Sequence, residues 1–211
     1  MKMFPNNAIA LHEDGLTPKS RRSLEWTLSN FGKNMHKGKT WIISDTHFSH
    51  ANIIKYCNRP FKDIEEMDDA IVENWNSLVS DEDTVWHLGD FSFNGKENVE
   101  KFRKLLKGKI KIVLGNHDKR GMDFYYNAGF DAVYDQPVLV DDFFILSHSP
   151  VQWISNDMPF ANFFGHVHDS PLYKTVTPRS FCACVERHGY HPVLWDEAVE
   201  AMKNEEAKLH A

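Results

Sequence analysis

Five short apolar runs in this chain each stop at Asp, His or Asn, and this constrains the fold more than any other feature. Thr40-Trp-Ile-Ile runs into Ser44-Asp45-Thr46-His47, and Thr84-Val-Trp-His-Leu into Gly89-Asp90. Ile110-Lys-Ile-Val-Leu leads into Gly115-Asn116-His117-Asp118. Phe143-Phe-Ile-Leu-Ser ends at His148, and Phe160-Ala-Asn-Phe-Phe ends at Gly165-His166-Val167-His168. Each run has the length of a buried strand. In open α/β sheets, sites form just outside the carboxyl ends of the strands. Several such ends carrying polar groups point to one shared rim.

Helical patterns separate the early runs. Ile64 to Val79 carries Met67, Ile71, Trp75 and Leu78 on one face with acids opposite, and Asn98 to Leu106 stops at Lys107-Gly108, a C-cap signal. The order β-α-β-α-β predicts a parallel sheet with crossover helices. The later runs, including a strand expected over Phe181–Glu186, have no helical pattern between them and are expected to pair antiparallel. Asp196 reads as the N-cap of a polar C-terminal helix. The result is one mixed-sheet α/β layered domain. Residues 1–38 form an N-terminal extension with Pro5, Gly15, Pro18 and Gly32, a basic run from Lys19 to Lys39, and an expected helix over Ser20–Phe31. A solvated basic face accounts for that run better than a nucleic-acid arm.

Lys and Arg total 24 against 30 Asp and Glu in 211 residues, a net charge of −6. That excludes a globally basic chain that coats phosphate, though not a local basic groove. No apolar run reaches the ~20 residues of a membrane-spanning helix. The segment Met1–Asn7 lacks the apolar stretch of a signal peptide. Cys57, Cys182 and Cys184 are too few and too odd in number for a disulfide framework, and the last two read as buried strand residues. A cytoplasmic, reducing location is expected, with no membrane partner.

Asp45, His47, Asp90, Asn116, His148, His166 and His168 are the candidate metal ligands. Mixed imidazole and carboxylate donors suit manganese, iron, cobalt, nickel or zinc, and manganese is favoured. This set is too large for one tetrahedral zinc and fits two ions if one carboxylate bridges them. Asp-x-His and His-x-His place both donors on one side of an extended segment. Glycines before Asp90, Asn116 and His166 allow sharp turns close to an ion. Among the other polar and aromatic residues, His87 reads as a packed core histidine and Trp41, Trp75 and Trp86 as core. His50 reads as a loop residue rather than a substrate donor. Lys119, Arg120, Arg179 and Arg187 read as surface rather than phosphate clamps.

From Lys39 to about Asp196 the chain resembles the calcineurin-like metallophosphoesterase superfamily. The resemblance rests on Asp45-x-His47, Gly89-Asp90, Gly115-Asn116-His117-Asp118, His148 and Gly165-His166-x-His168. Ser44-Asp-Thr-His-Phe-Ser-His-Ala-Asn-Ile53 is similar to small single-domain bacterial and phage members. The resemblance implies a four-layer αββα sandwich of two mixed β-sheets flanked by helices, with residues 39–211 as the metallophosphoesterase domain. It also implies one metal on Asp45, His47 and His168, a second on Asn116, His148 and His166, and Asp90 bridging both. His117 would sit beside the leaving-group oxygen with Asp118 orienting its imidazole. Two ions about 4 Å apart generate hydroxide from a shared water at neutral pH, and that hydroxide attacks phosphorus in line. His117 then acts as the leaving-group acid.

Many phosphoprotein phosphatases carry an Arg shortly after the Gly-Asp. Here the stretch is Gly89-Asp90-Phe91-Ser92-Phe93-Asn94. Its absence, and a chain with little room for a cap domain, favour a phosphodiesterase acting on a small ester such as a nucleotide or cyclic nucleotide. A nuclease, with nucleic acid as partner, and a phosphomonoesterase are the alternatives on the same site. A non-catalytic scaffold is disfavoured because every ligand position and the proton donor are filled. A structural zinc site would need a closed set of four ligands, richer in Cys.

Overall fold

The computed structural model describes residues 38–93, 95–151, 161–171 and 177–208. The expected Ser20–Phe31 helix lies outside the described residues. The element order is β1 (Thr40–Ile43), α1 (Ala51–Tyr56), α2 (Ile64–Leu78), β2 (Thr84–His87), α3 (Lys96–Leu105), β3 (Lys109–Val113), α4 (Met122–Asn127) and β4 (Ala132–Tyr134). It continues with β5 (Val138–Val140), β6 (Phe144–Ser147), β7 (Ala161–Phe164), β8 (Ser180–Cys182), a 3-10 turn (Val185–His188), β9 (Val193–Leu194) and α5 (Trp195–Lys208). One sheet has the order β4-β3-β2-β1-β9 and the other β5-β6-β7-β8. In the first, β1 to β4 pair in parallel and β9 joins antiparallel. Both sheets are therefore mixed and flanked by helices, as the expected α/β class requires.

Period-2 alternation places the first sheet between two cores. Trp41, Ile43, Val85, Ile110 and Ile112 pack with Met67, Ile71 and Trp75 of α2 and Phe102 of α3. Their strand neighbours Ile42, Trp86 and Val113 face Phe144, Leu146 and Phe163 of the second sheet, together with Trp195, Ala198 and Met202 of α5. The helix α2 starts where its sequence says it should. Asp63 caps it by accepting from the Glu66 N–H at 2.9 Å, and Glu66 accepts from the Lys62 N–H at 2.8 Å.

Several local expectations are corrected. The strands β6, β7 and β8 pair in parallel, and only β5 meets β6 antiparallel. A parallel pair needs a crossover of about a dozen residues, not necessarily a helix, and residues 148–160 and 165–179 are long enough to supply it. The strand expected over Phe181–Glu186 ends at Cys182 and gives way to the 3-10 turn. Asp196 is not an N-cap: α5 already begins at Trp195, which puts Asp196 in the first turn, where its charge still complements the helix dipole.

Asp83 ties the start of β1 to the turn before β2. Its carboxylate accepts from the backbone N–H of Lys39 at 2.7 Å, the indole N–H of Trp41 at 3.0 Å and the N–H of Ser80 at 2.9 Å. Burial opposes ionisation, but these donors override it and hold the carboxyl below its ordinary range. A lowered carboxyl contributes stability above the unfolded-state value near pH 4, and that contribution fades as pH falls through the folded value. Asp83→Asn should cost about 1–3 kcal/mol at pH 7 in urea unfolding. The gap from the unsubstituted protein should narrow below about pH 4.

Candidate metal centre

The carboxyl ends of β1, β2 and β3 in one sheet and of β6, β7 and β8 in the other open onto one rim. A bridge between Ser44 and Cys184 joins the two sheets there. All seven candidate ligands meet at this rim, and five of them hold unusual backbone. Asp45, His47, Asp90, His166 and His168 have φ of 60°, 51°, 54°, 72° and 49°. Left-handed backbone costs a non-glycine residue roughly 1–2 kcal/mol. Such strain persists only where the surroundings enforce it, and it gathers at functional sites. The enforcement is visible: the Asp45 N–H donates to Gly89 O and the His47 N–H to Asp90 O, both at 3.0 Å.

One donor group is Asp45, His47 and His168. Asp45 Oδ2 is saturated: Ser44 Oγ donates at 2.6 Å, the His166 N–H at 2.8 Å and the Cys184 thiol at 3.3 Å. Asp45 Oδ1 and His47 Nε2 are buried without hydrogen-bond partners. They face each other at 3.7 Å, and His168 Nε2 stands 3.8 Å from the same oxygen. Burial alone would neutralise Asp45, but the surrounding His47, His148 and His168 hold its carboxyl far below the ordinary range. His47 Nδ1 lies 3.4 Å from His50 Nδ1. Burial first, then the neighbouring His47, His117 and Arg59 charges, push His50 down to about 4, so it is neutral and able to accept from His47.

A second group is Asp90, His148 and His166, with Asn116 beside it, and a third, Cys57, His168 and Glu186, shares His168 with the first. His148 Nδ1 sits 2.8 Å from Leu88 O, which can only accept, so Nδ1 carries a proton. His148 Nε2 lies 2.9 Å from Asn116 Oδ1 and 3.2 Å from His166 Nδ1. Asp90 divides its carboxylate between the groups. Oδ1 accepts from the His117 N–H at 2.8 Å, while Oδ2 stands 3.4 Å from His47 Nε2 and 3.5 Å from His148 Nε2. Orphaned buried acceptors and lone pairs aimed at one space fit divalent cations, which supply the missing positive charge.

Asp118 is placed differently from expectation. Oδ2 accepts from the N–H groups of Asp90 at 2.7 Å and Gly115 at 2.9 Å, and Oδ1 from the Phe91 N–H at 3.2 Å and the Tyr125 hydroxyl at 3.3 Å. None of these donors is the His117 ring. Asp118 fixes the loops that carry Asp90 and Asn116, because a buried carboxylate takes the several N–H groups these turns leave unpaired. Burial and the nearby Asp90 charge, opposed by those N–H donors, push its carboxyl up to about 6. The His117 side chain is 37% exposed, with Nε2 4.0 Å from Asp90 Oδ2.

His87 is a core histidine as expected, buried with its ring against Trp75 and Phe91, and burial pushes it down to about 3. Trp41, Trp75 and Trp86 are core. His50 is buried behind His47. Lys119 and Arg120 are exposed, while Arg179 pairs with Glu206 and Arg187 donates to His168 O at 2.6 Å. Cys182 and Cys184 are buried, although Cys184 lies beyond the strand end. Sequence inspection missed Arg59 and Glu186. Neither belongs to a strand-end motif, and a lone Arg or Glu carries no spacing signal.

This rim of nitrogen and oxygen donors on a two-sheet α/β fold is a candidate metal centre. Residues 38–190 match the model of the calcineurin-like phosphoesterases, and the chain belongs to that family of metal-dependent phosphoester hydrolases. It is 38% identical over 178 residues to an uncharacterized protein of Methanocaldococcus jannaschii, covering 80% of this chain and 94% of that one. It is 35% identical over 82 residues to the Gene 66 protein of Mycobacterium phage L5, covering 37% of this chain and 39% of that one. The fold is similar to the crystal structure of a protein of unknown function from Aquifex aeolicus. The TM-score is 0.58 at 30% identity, covering 76% of this chain and 97% of that one. Among the described residues no helix is long and apolar enough to cross a membrane.

Gly165 shows how closely the rim is packed. A Cβ there would overlap Ser44 Oγ and Asp45 Oδ2. Gly165→Ala should lose about 1–3 kcal/mol of stability in denaturant and retain less metal on dialysis. Unchanged metal retention would contradict the packing described.

Proposed function

We propose that the chain hydrolyses a phosphodiester on a nucleotide or cyclic nucleotide with two divalent ions, manganese favoured. Asp45, His47 and His168 would hold one, Asn116, His148 and His166 the other, and Asp90 both. The divided Asp90 carboxylate carries this proposal: one oxygen is fixed by backbone, and the other faces an imidazole from each group. When bound, such a pair supplies Lewis acidity that activates water at neutral pH and neutralises phosphate charge.

The chain's own residues do the rest. Asp90 Oδ1 anchors the His117 backbone at the edge of the donor groups. The partly exposed His117 ring can then reach a departing oxygen and give it a proton. Water reprotonates it from the open side. The Asp118 carboxylate acts one step back, keeping the Asp90 and Gly115 turns in register.

A nucleotide-bearing ester is supported by aromatic rings around His117. Phe93, 37% exposed, stacks on His50 at 4.2 Å and lies 6.1 Å from His117, and the exposed Tyr56 meets His50 edge-on. Exposed rings beside a reaction centre suit stacking on a base. The lack of an Arg after Gly89-Asp90 argues further against phosphoprotein substrates.

The test loads the protein with Mn, Ni, Fe or Zn and compares bis-p-nitrophenyl phosphate with p-nitrophenyl phosphate. Faster turnover of the diester is expected, and preference for the monoester overturns the diester assignment. Cleavage confined to nucleic acid, with steep salt dependence, would identify a nuclease instead. His117→Gln should lower turnover by about 10²-fold or more while metal content stays unchanged. Loss of both metals in that variant would show that His117 is a ligand.

A further inference from the structure

Glu186 and Arg59 lie behind the first donor group, and no step above uses them. The Glu186 side chain is 3% exposed and that of Arg59 fully buried. His168 Nδ1 meets Glu186 Oε1 at 2.8 Å. The same oxygen accepts from Arg59 Nε at 3.0 Å and Nη2 at 2.7 Å. Arg59 also reaches forward, with Nη2 donating to Asp45 O at 2.7 Å and Nη1 to Thr46 O at 3.0 Å. One planar guanidinium thus grips both the carboxylate behind one ligand and the strained backbone carrying another. In the second group, by contrast, His148 Nδ1 meets the neutral Leu88 carbonyl rather than a carboxylate.

We propose that Glu186 and Arg59 are positioning residues for the metal held by Asp45, His47 and His168, and for that metal alone. Glu186 keeps the His168 proton on Nδ1, which leaves Nε2 turned toward Asp45 Oδ1 at 3.8 Å. A carboxylate behind a ligating imidazole fixes ring orientation and raises its basicity, and losing one typically weakens metal binding 10–100-fold. Arg59 restrains the carboxylate and the Asp45–Thr46 backbone together. A lysine cannot reproduce that fork.

This inference rests on the two-ion proposal above, and calorimetric titration of the metal-free protein with zinc(II) separates the two. The unsubstituted protein shows how many equivalents bind. Fewer than two counts against the two-ion proposal, whatever Glu186 does. Glu186→Gln keeps the shape and the hydrogen-bond acceptor but removes the charge, which protects the fold around the buried Arg59. It should weaken one equivalent 10–100-fold and leave any other unchanged. Arg59→Lys should weaken the same equivalent. In the zinc-loaded unsubstituted protein, the His168 Nδ1–H should appear as a slowly exchanging imidazole proton in nitrogen-15 NMR. It should exchange faster in both variants, a change that a purely structural role would not produce. Unchanged affinity in both variants, or equal weakening of two equivalents, overturns the inference.

Discussion

Lone pairs aimed at one another out of water are the constraint around which this molecule is arranged. Asp45 Oδ1 and His47 Nε2 are buried without a hydrogen-bond partner. Asp90 Oδ2 and His148 Nε2 crowd the adjoining space. A chain left to minimise its own free energy would turn such groups toward donors or water. Here they are held inward, and the left-handed backbone at Asp45, His47, Asp90, His166 and His168 adds strain to the electrostatic cost. Positive charge delivered from outside reconciles both.

The fold supplies the restraint through neighbouring loops that clamp one another. Asp118 gathers the N–H groups of Asp90, Phe91 and Gly115. Asp45 Oδ2 draws in Ser44, His166 and Cys184, which come from the ends of strands in both sheets. Each clamp crosses from one strand end to another, so the geometry depends on both sheets sharing a rim. The apolar core between the sheets, with Ile42, Trp86 and Val113 against Phe144, Leu146 and Phe163, keeps those ends aligned. Stability and site geometry are therefore coupled at the rim and less so at the far ends of the strands.

Much of this was legible from residues alone. The apolar runs and their polar ends marked β1, β2, β3, β6 and β7 and the residues that meet at the rim. The helix α2 followed from its apolar stripe. The parallel pairing of β6 to β8 was not legible, because a crossover need not carry helical periodicity. The short strands β4, β5 and β9 have two or three residues each, too few for a pattern to repeat. The direction of the Asp118 carboxylate departs from what the resemblance implied, because the unpaired N–H groups of two turns have the stronger claim on it. Glu186 and Arg59 were invisible for a different reason: their importance lies in contacts across 127 positions of chain.

The most direct measurement is a crystal structure of the manganese- or zinc-loaded protein with anomalous data collected at the metal edge. Two peaks about 4 Å apart should appear. One should be bounded by Asp45, His47 and His168, the other by Asn116, His148 and His166, with Asp90 between them. A single peak, or peaks away from this rim, would contradict the two-ion centre.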